Sequence, residues 1–406
     1  MPTFDEARDL ILRCAAPLGV EVVALDDSLG RVLATDQVSA WDLPMWDNSA
    51  MDGYAVRAQD CSVGSVLQVR GFLPAGRATG LSLVTGSAAR ILTGAPIPSG
   101  ADCVVPFEST EADGDSVRLL IEPVSGAHIR TQGSDLRSGD CMLTAGTVVG
   151  PTEIAVLASS ARTSVPVFRR PRVSILSTGD ELLTPGEPLA PGRIFDSNGP
   201  ALAAAVREAG ATPITLPIAR DDRAALRQQL EQGVRSDALV TSAGVSMGDR
   251  DLVREVLRDL GAKEGFWKVD IQPGRPMAFA MVDECCVFSL PGNPVAALMT
   301  FELLVRPALR RMGGHLRPIQ ATRPVPLGEP VQPRPDRMTL RRVRLEQVDD
   351  HLVAMSSGRQ ATGFVRTLAY ADGIALIPSG TETLPAGTVV DVHSLRQRGD
   401  FGGGAQ

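Results

Sequence analysis

The chain has 406 residues, 44% hydrophobic and 21% charged, which supplies several cores and excludes global disorder. Its formal net charge is −7 with no basic block, which argues against a nucleic-acid partner, and no run of about 18 apolar residues exists to span a membrane. At roughly 150 residues per domain, the length predicts two to four domains.

With 40 glycines, 30 prolines and 4% aromatics, many loops and turns are expected rather than long bundles. The six cysteines form no C-x-x-C pair, and the adjacent Cys285 and Cys286 do not suit a structural bridge. The N-terminus carries Asp5, Glu6 and Asp9 rather than a basic stretch before an apolar one. These features predict a reduced, cytoplasmic protein without a signal peptide. The four histidines, at 128, 315, 351 and 393, are isolated and give neither a histidine-rich metal pattern nor a histidine-based triad.

Thr3 to Cys14 reads as a helix: Thr3 and Glu6 form a capping box, and Phe4, Ala7, Leu10, Ile11 and Cys14 share one face. From about residue 20 to 150, short β-rich runs alternate with glycine and aspartate turns. They include Val20–Leu25, Val66–Val69, Cys103–Val105 and Val117–Ile121, and Asp113-Gly114 signals a hairpin. Pro151 opens a helix expected to run to about Ala161.

From Arg172 the pattern becomes strand–helix–strand. Strands are expected at Val173–Leu176, Pro213–Ile218, Ala238–Thr241 and Cys286–Leu290. Helices are expected at Pro200–Ala209, Arg223–Gln232, Asp249–Leu260 and Pro294–Met312. Such alternation predicts an α/β layer with a mostly parallel sheet. After Pro318 short β-like runs return to about His393, and the glycine-rich tail is expected to be disordered.

In an open parallel sheet, ligands bind beyond the carboxyl ends of the strands. Four polar loops fall at or near such ends: Ser177 to Leu182, Thr241 to Asp251, Pro273 to Pro276 and Leu290 to Pro294. In the second, Gly244 and Gly248 allow close backbone approach, Ser242 and Ser246 offer hydroxyls, and a helix start supplies N–H groups for phosphate. The plain alternative is a strand–helix connection with Asp249 as N-cap. The acidic set Asp180, Glu181, Asp196, Asp221, Asp222, Asp249 and Asp251 lies on the same side. Acids beside a phosphate cradle call for a cation such as Mg²⁺, unless most of them are caps and solvated turn residues.

Only Lys263 and Lys268 are lysines; the other 38 basic residues are arginines. A lysine at 268 therefore reads either as a point charge for an anion or as a solvated strand residue. Arg275, beside Gly274, can clamp an anion bidentately. Asp47 to Val56 and Arg90 to Asp102 are small, polar, glycine-containing segments that fit neither periodic template. Asn48, Ser49, Asp52 and Thr93 stand out in them.

Five motifs in order, D-N-S-A-M-D-G-Y-A-V, T-G-A-P-I-P-S-G-A-D, S-T-G-D-E-L, G-V-S-M-G-D-R-D and L-P-G-N-P, resemble those of the molybdopterin molybdenumtransferases, the MoeA family related to the C-terminal domain of gephyrin. The resemblance runs from Phe4 to about Val392. It implies that adenylylated molybdopterin and molybdate are converted to molybdenum cofactor and AMP with a divalent cation such as Mg²⁺. It also implies an elongated homodimer whose cleft joins the α/β domain of one subunit to the small domain of the other. Recipient molybdoenzymes, their chaperones and a molybdopterin adenylyltransferase are the further partners it suggests.

By matching motifs, Asp52, Thr93, Asp135, Glu181, Asp221, Asp251 and Lys268 are the expected catalytic set. Ser177, Thr178, Gly179, Ser242, Gly244, Ser246, Gly248, Gln272, Arg275, Pro291, Gly292 and Asn293 are the expected substrate binders, with Asp221, Asp249 and Asp251 the expected cation ligands. The implied fold is multidomain α/β and β. It has a three-layer α/β molybdopterin-binding domain at 171–318 with a helix at 1–19 packed on it, and a linking β/helix domain at 20–38 and 140–170. A small mixed domain spans 39–139, a β-barrel-like domain 319–396 and a disordered tail 397–406.

Two departures from the family pattern bear on function. Gln272 stands where the family carries lysine before P-G-[KR]-P, so a charge is lost at the expected oxyanion site. Ala243 stands where glycine is frequent, which suits the backbone only if φ stays negative. An active insertase is the first reading. A dimeric module that binds and delivers the cofactor without fast turnover is the second, supported by Gln272. A nucleotide-binding dehydrogenase lacks the required G-x-G-x-x-G after a strand.

Overall fold

The structure, a computed structural model, describes residues 1–77, 80–243 and 252–395. Its centre is a six-stranded sheet in the order Thr212–Thr215, Arg172–Ser177, Ala238–Ser242, Cys285–Leu290, Ala278–Val282, Lys263–Phe266. The first four strands are parallel, Ala278–Val282 returns antiparallel to Cys285–Leu290 as a hairpin, and Lys263–Phe266 forms the edge antiparallel to Ala278–Val282. The alternation of side chains along these strands builds two cores. Val173, Ile175, Val240 and Phe288 face the helices Phe4–Cys14, Asn198–Glu208 and Pro294–Met312. Leu176, Leu239 and Val287 face Arg223–Gly233 and Leu252–Asp259. Helices on both faces make three layers.

The N-terminal helix starts as its sequence dictates. The Glu6 N–H donates to Thr3 Oγ1 at 3.3 Å and the Thr3 N–H to Glu6 Oε2 at 2.9 Å, while Phe4, Ala7 and Ile11 are buried. The helix after the strand Arg172–Ser177 begins at Asn198, two residues before Pro200, with Ser197 as its N-cap, and Asp196 Oδ1, just outside the helix, accepts the Gly199 N–H at 2.9 Å.

The expected helix over 294–312 contains a π turn, Phe301–Val305, between Pro294–Thr300 and Arg306–Met312. Pro307 explains the widening, since its ring excludes the carbonyl four residues back and it donates no hydrogen bond. The buried Glu302 in that turn accepts from Arg306 Nε at 2.7 Å and lies 3.0 Å from His393 Nε2 of the C-terminal domain. Burial opposes the Glu302 charge, but His393 and Arg306 outweigh it and hold the carboxyl below its usual range.

Segments far apart in sequence pair to form the linking region: Val20–Ala24 with Ser164–Phe168, and Gln37–Val38 with Cys141–Leu143. A second six-stranded sheet, built between Gly53 and Leu119, holds the expected hairpin, with Thr110–Asp113 antiparallel to Ser116–Leu119 and Gly114 at φ +57°. The C-terminal sheet closes on itself through the bridge from Leu327 to Ala354, giving a barrel-like form. Ile271–Gln272, whose loop was expected at the α/β sheet, instead pairs in parallel with Met338–Thr339 of that C-terminal sheet.

Candidate functional site

The strand Arg172–Ser177 has Thr212–Thr215 on one side and Ala238–Ser242 on the other, and the helices that follow the first two of these strands pack on opposite faces. This is a topological switch point, where a crevice opens beyond the carboxyl ends of the strands. A cavity of about 480 Å³ lies there. Thr178 and Glu181 line it from the first loop, Ser242 and Ala243 from the second, and Pro291, Gly292 and Asn293 from the fourth. Asp196 and Asn198 line it from the head of the helix. The crossing is tight. The Thr178 N–H donates to Ser242 O at 3.2 Å, and a Cβ on Gly179, at φ +144°, would stand 2.5 Å from Glu181 Oε2.

A second cavity, of about 470 Å³, adjoins the first and shares Pro276, Pro291 and Asn293 with it. Gln272 and Arg275 line it from one side, and Arg337, Gln360 and Thr362 from the C-terminal domain. Gly274 makes this packing possible: at φ +118° its missing Cβ would lie 2.5 Å from Thr300 Cγ2. Arg337 is held by its neighbour, its Nε donating to Asp336 Oδ1 at 3.0 Å.

Ser177 is buried behind the first cavity and its Oγ has no partner among the described residues. Asp221 sits beside Asp180, its N–H 3.4 Å from Asp180 Oδ1, and does not line the cavity. Asp222 caps the next helix, accepting from the Ala224 and Ala225 N–H groups at 2.9 and 3.2 Å, so it is a structural acid. Lys268 is half-buried past the strand Lys263–Phe266 and lines neither cavity. Gly244, Ser246, Gly248, Asp249 and Asp251 lie outside the described residues.

Asp52, Thr93 and Asp135 are exposed on the small domain and line neither cavity of their own chain. Asp52 and Thr93 form one unit. Thr93 donates to Asp52 Oδ1 from its N–H at 2.7 Å and from its hydroxyl at 2.8 Å, which holds the Asp52 carboxyl below its ordinary range. Asn198, Arg337 and Thr362 were not reached from sequence. The D-S-N run at Asp196 was a readable helix-cap signal, whereas the two C-terminal residues reach the site only through the folded chain.

Ala243 does not keep a negative φ: it sits at +75°. Its methyl lies against Gly292, where an added Cβ would come within 3.2 Å of it.

Three family models match in order: the MoeA N-terminal region (domain I and II) over residues 2–161, a probable molybdopterin binding domain over 174–311, and the MoeA C-terminal region (domain IV) over 324–395. A Mycobacterium tuberculosis protein named molybdopterin molybdenumtransferase 2 is 38% identical over 396 residues, 95% of this chain and 96% of its own. The chain belongs to the MoeA family of molybdopterin molybdenumtransferases. A Nostoc molybdopterin molybdenumtransferase is 41% identical over 327 residues, covering 77% of this chain and 75% of its own. A crystal structure of a MoeA molybdopterin biosynthesis protein from Pyrococcus horikoshii superposes with a TM-score of 0.84 at 32% identity, covering 98% of this chain and 99% of that one. Among the described residues of this MoeA chain, no helix is long and apolar enough to cross a membrane.

Proposed function

We propose that this MoeA chain is a molybdenum insertase, converting adenylylated molybdopterin and molybdate to molybdenum cofactor and AMP. Two Mo–S bonds form at the dithiolene as one molybdate oxygen leaves as water with the two thiol protons, and one water cleaves the phosphoanhydride bond to leave the terminal phosphate on the pterin and AMP. The observation that carries this reading is the pair of adjoining cavities. One, at the switch point, has the polar turns and helix heads that suit a phosphate-bearing pterin. The other carries Arg275 and Arg337, which suit an oxyanion. Their shared wall of Pro276, Pro291 and Asn293 would bring the dithiolene and molybdate together.

The acids suit Mg²⁺ as the divalent cation. Glu181 and Asp196 line the first cavity, Asp180 and Asp221 stand beside it, and Asp249 and Asp251 belong to the phosphate-loop motif. This donor set is all oxygen, and no group of three metal-binding side chains converges among the described residues. All-oxygen donors suit an ion held by one or two carboxylates, several waters and the substrate's phosphates. Asp221 and Asp251 would hold it, and it would offset phosphate charge. Thr178 and Ser242 would hold the substrate, Arg275 and Arg337 would orient molybdate, and Gln272 would donate an N–H to it. Lys268 remains a charge near the hairpin edge.

The protein is proposed to act as a cytoplasmic homodimer in which Asp52, Thr93 and Asp135 complete the partner's cleft. Trp41 and Trp46 are each 50% exposed in the segment leading to Asp52, and large bare aromatics beside a motif suit a covered face. Gln272, a neutral amide at the oxyanion cavity, favours one second reading, a slow module that binds and delivers the cofactor. AMP release from adenylylated molybdopterin with Mg²⁺ tests the choice. Release that rises with molybdate supports the insertase; tight binding without release supports the module.

A further inference from the structure

We propose that Asn198 is the substrate-orienting residue of the first cavity, its amide N–H groups locking two loops and its Oδ1 receiving an N–H of the substrate's heteroaromatic ring. This rests on the reading of that cavity as the seat of adenylylated molybdopterin. Asn198 is 8% exposed at the head of its helix. Its Nδ2 donates to Ser242 Oγ at 2.6 Å and to Gly292 O at 2.8 Å. One residue thus ties the ends of two sheet strands at the switch point.

The orientation of the amide follows from chemistry. The Gly292 carbonyl can only accept, so it must face the NH₂ group and not the oxygen. Ser242 Oγ then takes an N–H from Asn198, which leaves the Ser242 hydroxyl proton to donate elsewhere. The Ser242 carbonyl is already taken by the Thr178 N–H. Asn198 therefore sets Ser242 as a donor, which suits a phosphate.

Oδ1 is the remaining atom. It is buried and has no partner among the described residues. A buried amide oxygen without a donor is costly, so the position asks for a ligand that supplies one. A phosphate cannot, because its oxygens would face Oδ1 as a second acceptor. An amino group or ring N–H can. The substrate carries this chemistry twice, at the amino-imide edge of the pterin and at the amino group of adenine.

The two sources are separated by titrating molybdopterin and AMP individually onto the full-length protein and its variants. Asn198→Leu removes donors and acceptor at near-constant size. It is expected to change the ratio of the two affinities about tenfold, the weakened ligand identifying the ring that Oδ1 binds. Asn198→Asp loses the donors but keeps an acceptor, and is expected to hold the wild-type ratio even if both affinities fall. Asn198→Ala replaces the leucine variant should that fail to fold. Equal weakening of both ligands in Asn198→Leu would reduce Asn198 to a loop tie and overturn the proposal, as would no change in either. Wild-type protein that binds neither ligand would overturn the reading beneath it instead.

Discussion

Ala243, at φ +75°, holds a conformation in which a Cβ crowds the following carbonyl, at about 1–2 kcal/mol. Replacing it with glycine removes that strain but loosens the unfolded chain by roughly 0.5–1 kcal/mol. Ala243→Gly is therefore expected to stabilise the α/β domain by up to about 1 kcal/mol, read as a higher urea midpoint. A lower midpoint would mean that the methyl's contact with Gly292 outweighs the strain. Gln272, proposed to face molybdate, raises a question of charge rather than of shape. Beside Arg275 and Arg337, Gln272→Lys adds attraction for a dianion. It should lower the molybdate concentration for half-maximal AMP release several-fold. An unchanged molybdate dependence would remove Gln272 from the oxyanion cavity.

At the scale of elements, an ion pair ties the end of the linking region to the central sheet. Arg169 Nη1 and Nη2 donate to Asp237 Oδ2 and Oδ1 at 2.8 and 2.7 Å, and the Arg172 N–H adds a third bond at 2.7 Å. Burial raises the Asp237 carboxyl, but the bonds from Arg169 and Arg172 outweigh it and leave it below its ordinary value of 3.8. A depressed carboxyl adds stability that is full above that ordinary value and is lost as pH falls through the folded value. Asp237→Asn is thus expected to cost about 2 kcal/mol at pH 7, and the gap to wild type should narrow in acid. A gap independent of pH would assign the effect to packing.

The elements also separate what was legible in the sequence from what was not. Caps and periodicity placed the helix at Phe4–Cys14 and the hairpin at Gly114, because those signals are local. The π turn depended on how Pro307 was accommodated within a continuous helix. The pairing of Ile271–Gln272 with Met338–Thr339 joins segments 67 residues apart that carry no matching pattern. The loops of the first cavity were readable from glycine, serine and their place after strands. Arg337 and Thr362 were not, since only that long-range pairing and the closed C-terminal sheet carry them to the second cavity.

At the scale of the molecule, Asp52 and Thr93 are joined to each other yet line neither cavity of their own chain. If they serve the partner's cleft, two inactive variants should rescue one another. Mixed after unfolding and refolding, Asp52→Asn and Glu181→Gln would give heterodimers with one intact site, and about a quarter of wild-type activity. No rescue would place both residues in one protomer's site. If the adjoining cavities support turnover and not only binding, the protein acts as a catalyst. The most direct test is to reconstitute an apo-molybdoenzyme with adenylylated molybdopterin, Mg²⁺ and molybdate in excess over the protein. Many equivalents of cofactor are expected to form per chain, in step with AMP released. Reconstitution that stops at one equivalent per site would contradict turnover and leave a carrier.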